Sequence, residues 1–197
     1  MLYYVSNTVD KKYRHSIGGT SHVLCPICNK NMSILFTYDL NDKSVGWCKW
    51  NDEFLPLIYC FSCDMWNVTY GYINDQIVVL KYDGIEDDYK GISQKTVGVS
   101  LKPMDISGER SENVDARWYT KEFGHSVVQP FPHFGQPYNI IGGLHEVRCV
   151  KCNDLMEFKA ALYDTLHLKF DLLGNLSQIV FHHCYRCSNI NAVIHQG

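Results

Sequence analysis

The sequence predicts a mainly β protein, made of two tandem copies of one small metal-binding module joined by an insert. Three observations predict it. Four Cys-x2-Cys pairs occur, and the last two repeat the first two at a constant offset of 124 residues. The stretches around them are rich in β-branched and aromatic residues, with turn residues between. The same Ile-Gly-Gly precedes the first pair of each copy, as Ile17-Gly18-Gly19 and Ile141-Gly142-Gly143.

The cysteines come first because their spacing carries the chemistry. The first copy holds Cys25, Cys28, Cys60 and Cys63; the second holds Cys149, Cys152, Cys184 and Cys187. Two cysteines separated by two residues reach one ion from a single tight turn. A second such turn closes a tetrahedral four-thiolate site. The intervening segment is 31 residues in both copies, 29–59 and 153–183. That is room for a hairpin or meander, so the modules read as zinc-ribbon-like. Asn29 and Asn153 each follow the first pair, and Asn tolerates the left-handed backbone that such a turn requires. Two structural zinc ions are expected. Iron is the rival, since four thiolates also hold it. A disulfide framework is the other alternative. Met1–Asn7 lacks a basic start and apolar run, and the ninth cysteine, Cys48, would be left over. Reduced thiols and no leader place the expected location in the cytoplasm.

The elements follow in order. Tyr3–Val5 suits an edge strand within a short lead-in, and Lys11, Lys12 and Arg14 a solvated rim. Met32–Leu40 reads as a strand, and Asn41-Asp42 as a turn. Pro56–Tyr59 delivers the second cysteine turn, Trp66–Ile73 leaves it as a strand, and Gln76–Tyr82 forms another. Asp83, Glu86, Asp87 and Asp88 make an acidic cluster. Residues 111–123 form the one plausible helix, capped by Ser111 and ended by Gly124. The run 129–137 contains three prolines, which forbid a regular helix or a central strand. It reads as an ordered crossing loop anchored by aromatic rings. In the second copy, Leu155–Tyr163, Thr165–Leu172, Ile179–His183 and Ile190–His195 read as strands. The divisions are therefore 1–82 and 139–197 for the two modules and 83–138 for the insert. Within the modules the repeated copies proper run from about Ser16 to Tyr72 and from about Ile140 to Gln196, about 57 residues each, and a unit of that size has too little core to fold well alone. Zinc supplies the missing stabilisation, and the copies are expected to pack face to face around a pseudo-twofold with a shared core.

The Ile-Gly-Gly turn, the Cys-x2-Cys-x3-Met that follows and the late Cys-x2-Cys carry a resemblance. With Met32 and Phe36 in one copy and Met156 and Phe158 in the other, the chain resembles the YwqG-like bacterial proteins, a family of unknown function. The Pro-x-Trp-x-Gln usual there after the glycines is absent in both copies. The resemblance covers both modules but not the insert. It implies a β-rich fold and no activity; small bacterial families of this kind include toxin-immunity proteins, which suggests a binding role.

Composition narrows the function. Hydrophobic residues make up 46% of 197, and the net charge is −3. The first argues for a globular chain, the second against a general attraction to nucleic acid or acidic membranes. No apolar run approaches the ~20 residues of a membrane helix. Closed four-thiolate sites leave no open coordination position, and neither a nucleophile motif nor a phosphate-binding loop occurs. His182 and His183 should face opposite sides of a strand. The expectation is a non-catalytic protein-binding module, such as an immunity protein that neutralises a basic toxin domain. Asp83, Glu86, Asp87, Asp88, Trp118, Phe131 and Phe134 are the expected partner surface. The alternative is a nucleic-acid-binding zinc ribbon, using Lys11, Lys12, Arg14 and Lys30 near one site and Arg148, Lys151 and Arg186 near the other.

Overall fold

A computed structural model describes residues 1–6, 9, 11–47, 52–74, 76–87, 96–104, 133–137, 140, 142–163 and 177–196. All regular elements among them are strands: β1 Leu2–Ser6, β2 Ser16–Ile17, β3 Thr20–Leu24, β4 Asn31–Asp39, β5 Phe54–Tyr59, β6 Asp64–Ile73 and β7 Gln76–Ile85. They continue as β8 Val97–Gly98, β9 Ser100–Met104, β10 His133–Phe134, β11 Glu157–Tyr163, β12 Ser177–Cys184 and β13 Asn189–Gln196. No helix among the described residues is long and apolar enough to cross a membrane. The helix expected at 111–123 and the strand expected at Thr165–Leu172 lie outside the described residues.

The strands form two sheets. The larger has the order β7-β6-β13-β12-β11-β10-β1-β9. The smaller has the order β3-β4-β2-β8, with β5 also paired to β4. The strands reach those places because their apolar side chains alternate toward one side. Phe36, Leu55 and Leu57 come from the smaller sheet; Val68, Tyr70, Phe134, Ala160, Phe181 and Ala192 come from the larger. All join one core. The copies therefore share a core, as their size required.

The duplication reaches down to ladder register. In the first copy Ser33 faces Tyr59 and Ile34 faces Ile58; after a bulge Phe36 faces Leu57, and the ladder ends with Asp39 opposite Phe54. In the second, Glu157 faces His183, Phe158 faces His182, and after a bulge Ala160 faces Phe181, ending with Tyr163 opposite Gln178. Every pair is displaced by the same 124 residues, and the bulge falls at the same place. Bulges are built features that bend a strand, so the two copies bend alike.

Where the copies meet, the symmetry becomes physical. β6 pairs antiparallel with β13, with Asn67 opposite Val193, Val68 opposite Ala192 and Thr69 opposite Asn191. Val68 and Ala192 are equivalent positions, as are Asn67 and Asn191, and Thr69 and Val193. The pairing maps onto itself when the copies are exchanged, and a local twofold passes through Val68 and Ala192. The equivalent asparagines meet there, Asn191 Nδ2 donating to Asn67 Oδ1. The contact between the copies thus runs edge to edge within one sheet, besides the shared core behind it.

The symmetry then breaks. β12 turns back through its cysteine pair to lie beside β13. Its counterpart β5 stays in the smaller sheet, and the chain changes sheets at Cys60–Cys63. The place beside β6 goes to β7, through a hairpin whose turn residue Asn74 is left-handed. Among the described residues β5 pairs only with β4, at an edge of the smaller sheet, which is where Pro56 is tolerated.

Two sequence expectations are corrected. The strand at Tyr3–Val5 is not an edge: β1 lies between β10 and β9, because β9, from the insert, pairs along its whole length. The proline-rich run is not only a crossing loop. Two of its residues, His133 and Phe134, form β10 between β1 and β11. A two-residue strand needs no long proline-free run, so the prolines did not exclude it.

Candidate metal centres

Four cysteine turns build the two centres. Three of them close in the same way. Asn29 N–H donates to Cys25 C=O at 2.9 Å, Asn153 N–H to Cys149 C=O at 2.9 Å and Ser188 N–H to Cys184 C=O at 2.8 Å. Each donor is left-handed, with φ of 54°, 62° and 53°, which explains Asn at two of these places. The first turn of each copy gains one more tie, from Cys25 N–H to Lys30 C=O and from Cys149 N–H to Asp154 C=O. The Ile-Gly-Gly glycines are left-handed in both copies, Gly18 and Gly19 at 78° and 122° and Gly142 and Gly143 at 70° and 81°. Their shared requirement is therefore conformational. The fourth turn opens: Met65 N–H bonds Cys63 C=O and the chain passes into the other sheet.

These turns aim four sulfurs at one point. In each cluster all four lie within 4.8 Å of one another. In the first, Cys25 Sγ is 3.6 Å from Cys63 Sγ and Cys28 Sγ is 3.6 Å from Cys60 Sγ, while Cys60 and Cys63 are 3.4 Å apart. In the second, Cys152 and Cys184 are 3.5 Å apart. Disulfide sulfurs would be ~2.05 Å apart, and none of the eight is so bonded. Four ligands held tetrahedrally at ~2.3 Å from one ion sit about 3.8 Å from each other. The clusters match a four-thiolate metal site, and each can hold an ion.

Backbone donors favour thiolate. Ile27 N–H points at Cys25 Sγ, Ser62 N–H at Cys60 Sγ and Lys151 N–H at Cys149 Sγ, each at 3.4 Å. A hydrogen bond from the Cys60 thiol draws Cys25 down to about 5, with backbone donors assisting against burial. Burial raises Cys149, but the N–H groups of Cys152 and Lys151 and the thiols of Cys184 and Cys152 outweigh it, leaving about 7. Cys60, Cys63, Cys184 and Cys187 go the opposite way. Cys60 is raised, first by its hydrogen bond to Cys25 and then by burial. Burial pushes Cys63 and Cys184 up to about 12, and Cys187 up to about 11. Each cluster holds its first negative charge readily and resists the next, which is the condition a divalent cation relieves.

The clusters differ in setting. Cys25, Cys60 and Cys63 belong to the main core. Cys149 and Cys184 belong to a small separate core with Met156. Cys28, Cys152 and Cys187 are half-buried. The second cluster also has a side-chain donor that the sequence did not reveal. Buried Asn189 gives its amide N–H to Cys149 Sγ at 3.4 Å, and Gly71 of the first copy makes room for it. A second unforeseen tie is buried Lys159. Its Nζ donates to Tyr185 Oη at 2.7 Å and Gly46 C=O at 3.1 Å, binding a first-copy loop to the last cysteine turn. A lysine amid the apolar strand EFKAALY was the one available signal.

Of the expected partner surface, Asp83, Glu86 and Asp87 are exposed at and beyond the end of β7. Asp88, Trp118 and Phe131, like Cys48, lie outside the described residues. Phe134 is corrected: it is wholly buried, its ring 4.6 Å from Phe36 and 5.9 Å from Tyr38. As part of an inner strand it anchors the core. His182 and His183 do diverge, the first toward Phe158, the second toward Trp47 and Tyr185. Burial lowers both to about 4, so they pack as neutral rings. Of the basic residues, Arg148 donates to Asn153 C=O, Arg186 lies 3.7 Å from Asp154, and Arg14 pairs with Glu53 and Asp39. Comparison with family models, curated proteins and solved structures finds no match for this chain.

Proposed function

We propose that the chain is a non-catalytic protein-binding module whose two clusters each hold a structural zinc ion. The observation that carries it is closure: each cluster supplies four sulfurs from the chain itself. A tetrahedral ion so held has no position for water or substrate. Zinc is preferred to iron because the ion's role here is to tie turns together, which needs no redox chemistry. The location that fits reduced thiols is the cytoplasm.

The partner we assign is a protein with a basic face, such as a toxin domain that this chain covers as an immunity protein. The acidic residues Asp83, Glu86 and Asp87 stand exposed beside the exposed apolar side chains of Tyr82 and Ile85, a combination that steers and then anchors a basic partner. Nucleic acid fits less well, because Arg148 and Arg186 are engaged by the second first-pair turn, through Asn153 and Asp154.

Two measurements test this. Metal analysis should return about two zinc per chain; a value near zero with every thiol oxidised ends the zinc reading. Gel shifts at low salt should show no tight DNA or RNA complex. Tight binding abolished by replacing Arg148, Lys151 and Arg186 with Ala would transfer the function to nucleic acid.

A further inference from the structure

Sheet edges are hazards, because their unpaired N–H and C=O groups template pairing with another chain. Most edges in this fold are managed. β9 carries Pro103 and β5 carries Pro56, and proline cannot donate to a new neighbour. β3 has five residues and an irregular register, and β8 has two residues. β7 is different. Among the described residues it ends the larger sheet; it is ten residues long and contains no proline, with one irregularity of its own in its register on β6, at Leu80. It also exposes Val78, Tyr82 and Ile85, at 38%, 49% and 54%.

The side chains around Tyr82 are complementary to themselves. Lys81 precedes it and Asp83 follows, and both are exposed. In an antiparallel pair centred on Tyr82, Lys81 of each strand lies opposite Asp83 of the other. No other centre sets Lys81 against an acid within β7; a centre at Gly84 does so only with Asp87, beyond the strand's end. Opposite charges directly across a ladder are stabilising, and like charges are not.

We propose that β7 is a homodimer interface, at which two copies of this chain pair antiparallel about a twofold at Tyr82 and join their larger sheets. The interface is isologous, so each favourable contact occurs twice. Glu86 and Asp87 fall outside the central pairs, one set at each end. Tyr82, Asp83 and Ile85 also belong to the face assigned above to a basic partner, so the dimer is a competing use of the same edge; a chain that dimerises yet binds no basic partner would fail that reading and not this one.

Sedimentation equilibrium of the zinc-loaded full chain tests it. The expected species has twice the 22.7 kDa chain mass, in a concentration-dependent equilibrium. Lys81→Asp sets Asp against Asp, and Asp83→Lys sets Lys against Lys. Each single variant alters two symmetry-related pairs and should weaken association about tenfold. The double variant Lys81→Asp/Asp83→Lys restores opposite charges and should recover the dimer. Recovery is a readout that a folding defect cannot mimic. A chain that stays monomeric at all soluble concentrations overturns the proposal. So does a dimer that neither single variant weakens, or one that the double variant fails to restore.

Discussion

Tyr70 shows what one hydroxyl can decide. It lies on β6 in the larger sheet, wholly buried, and its Oη receives the Ile58 N–H at 3.1 Å and donates to Pro56 C=O at 3.2 Å. Both partners are on β5 in the smaller sheet, so the phenol ties the sheets where the chain has just crossed. Tyr70→Phe would orphan a buried donor and acceptor together and should cost about 1–3 kcal/mol. Urea denaturation checks this as a lower midpoint with unchanged slope; equal midpoints would show that the tie contributes nothing. Burial also raises the Tyr70 pKa. A raised value means that the stabilisation is complete below the unfolded tyrosine pKa of ~10 and is lost as pH rises beyond it. Between pH 10 and 12, Tyr70→Phe should therefore lose stability less steeply than wild type, by up to about 1.4 kcal/mol per pH unit. Parallel slopes would contradict the burial.

At the scale of elements, the cysteine turns and the ladders hold each other in place. Asn29 closes the first turn in left-handed conformation. Asn29→Gly should keep its metal, while Asn29→Val should hold it more weakly, because a β-branched residue there costs about 1–2 kcal/mol. Competition with a chromogenic chelator reads the difference, and equal retention by both variants would show that the turn does not limit the site. Strand contact also carries an effect between the copies. A Cβ on Gly71 would sit 2.6 Å from Asn189 Oδ1, so Asn189 must move. That side chain is a donor to Cys149 Sγ. Gly71→Ala, a first-copy substitution, should therefore speed metal loss from the second cluster and spare the first. Unchanged release kinetics would mean that the hydrogen bond to sulfur is dispensable.

Over the whole molecule, the two sites sit unequally in one fold. The first belongs to the core shared by both sheets, and the second to a small core of its own. Metal should leave in two phases under a chelator: the second cluster by local opening, the first only with global unfolding. Cys149→Ser should lose one metal while the main thermal transition survives, whereas Cys25→Ser should lower that transition broadly. Single-phase release, or identical melting of the two variants, would contradict the unequal placement.

Much of this was legible in residues. The repeated Cys-x2-Cys named all eight sulfurs, and the sequence turns at Asn29, Asn153 and the Gly-Gly pairs proved left-handed. Those features depend on neighbours in sequence, so sequence states them. Strand existence was mostly readable for the same reason: alternation and composition are local. Partner choice was not. The turns at Cys60–Cys63 and Cys184–Cys187 look alike, yet one sends the chain into another sheet and the other folds it back. What separates them is the following residue, extended at Asp64 and left-handed at Ser188, and which strand is waiting alongside. The inner placement of β1, the two-residue β10 with buried Phe134, and Asn189 beside Cys149 all join residues distant in the chain. Local pattern was enough to name the atoms that could hold a metal and the places where the chain must turn. Which strands lie side by side was not in it, because pairing is settled by the burial of shared apolar surface between segments that no local pattern connects.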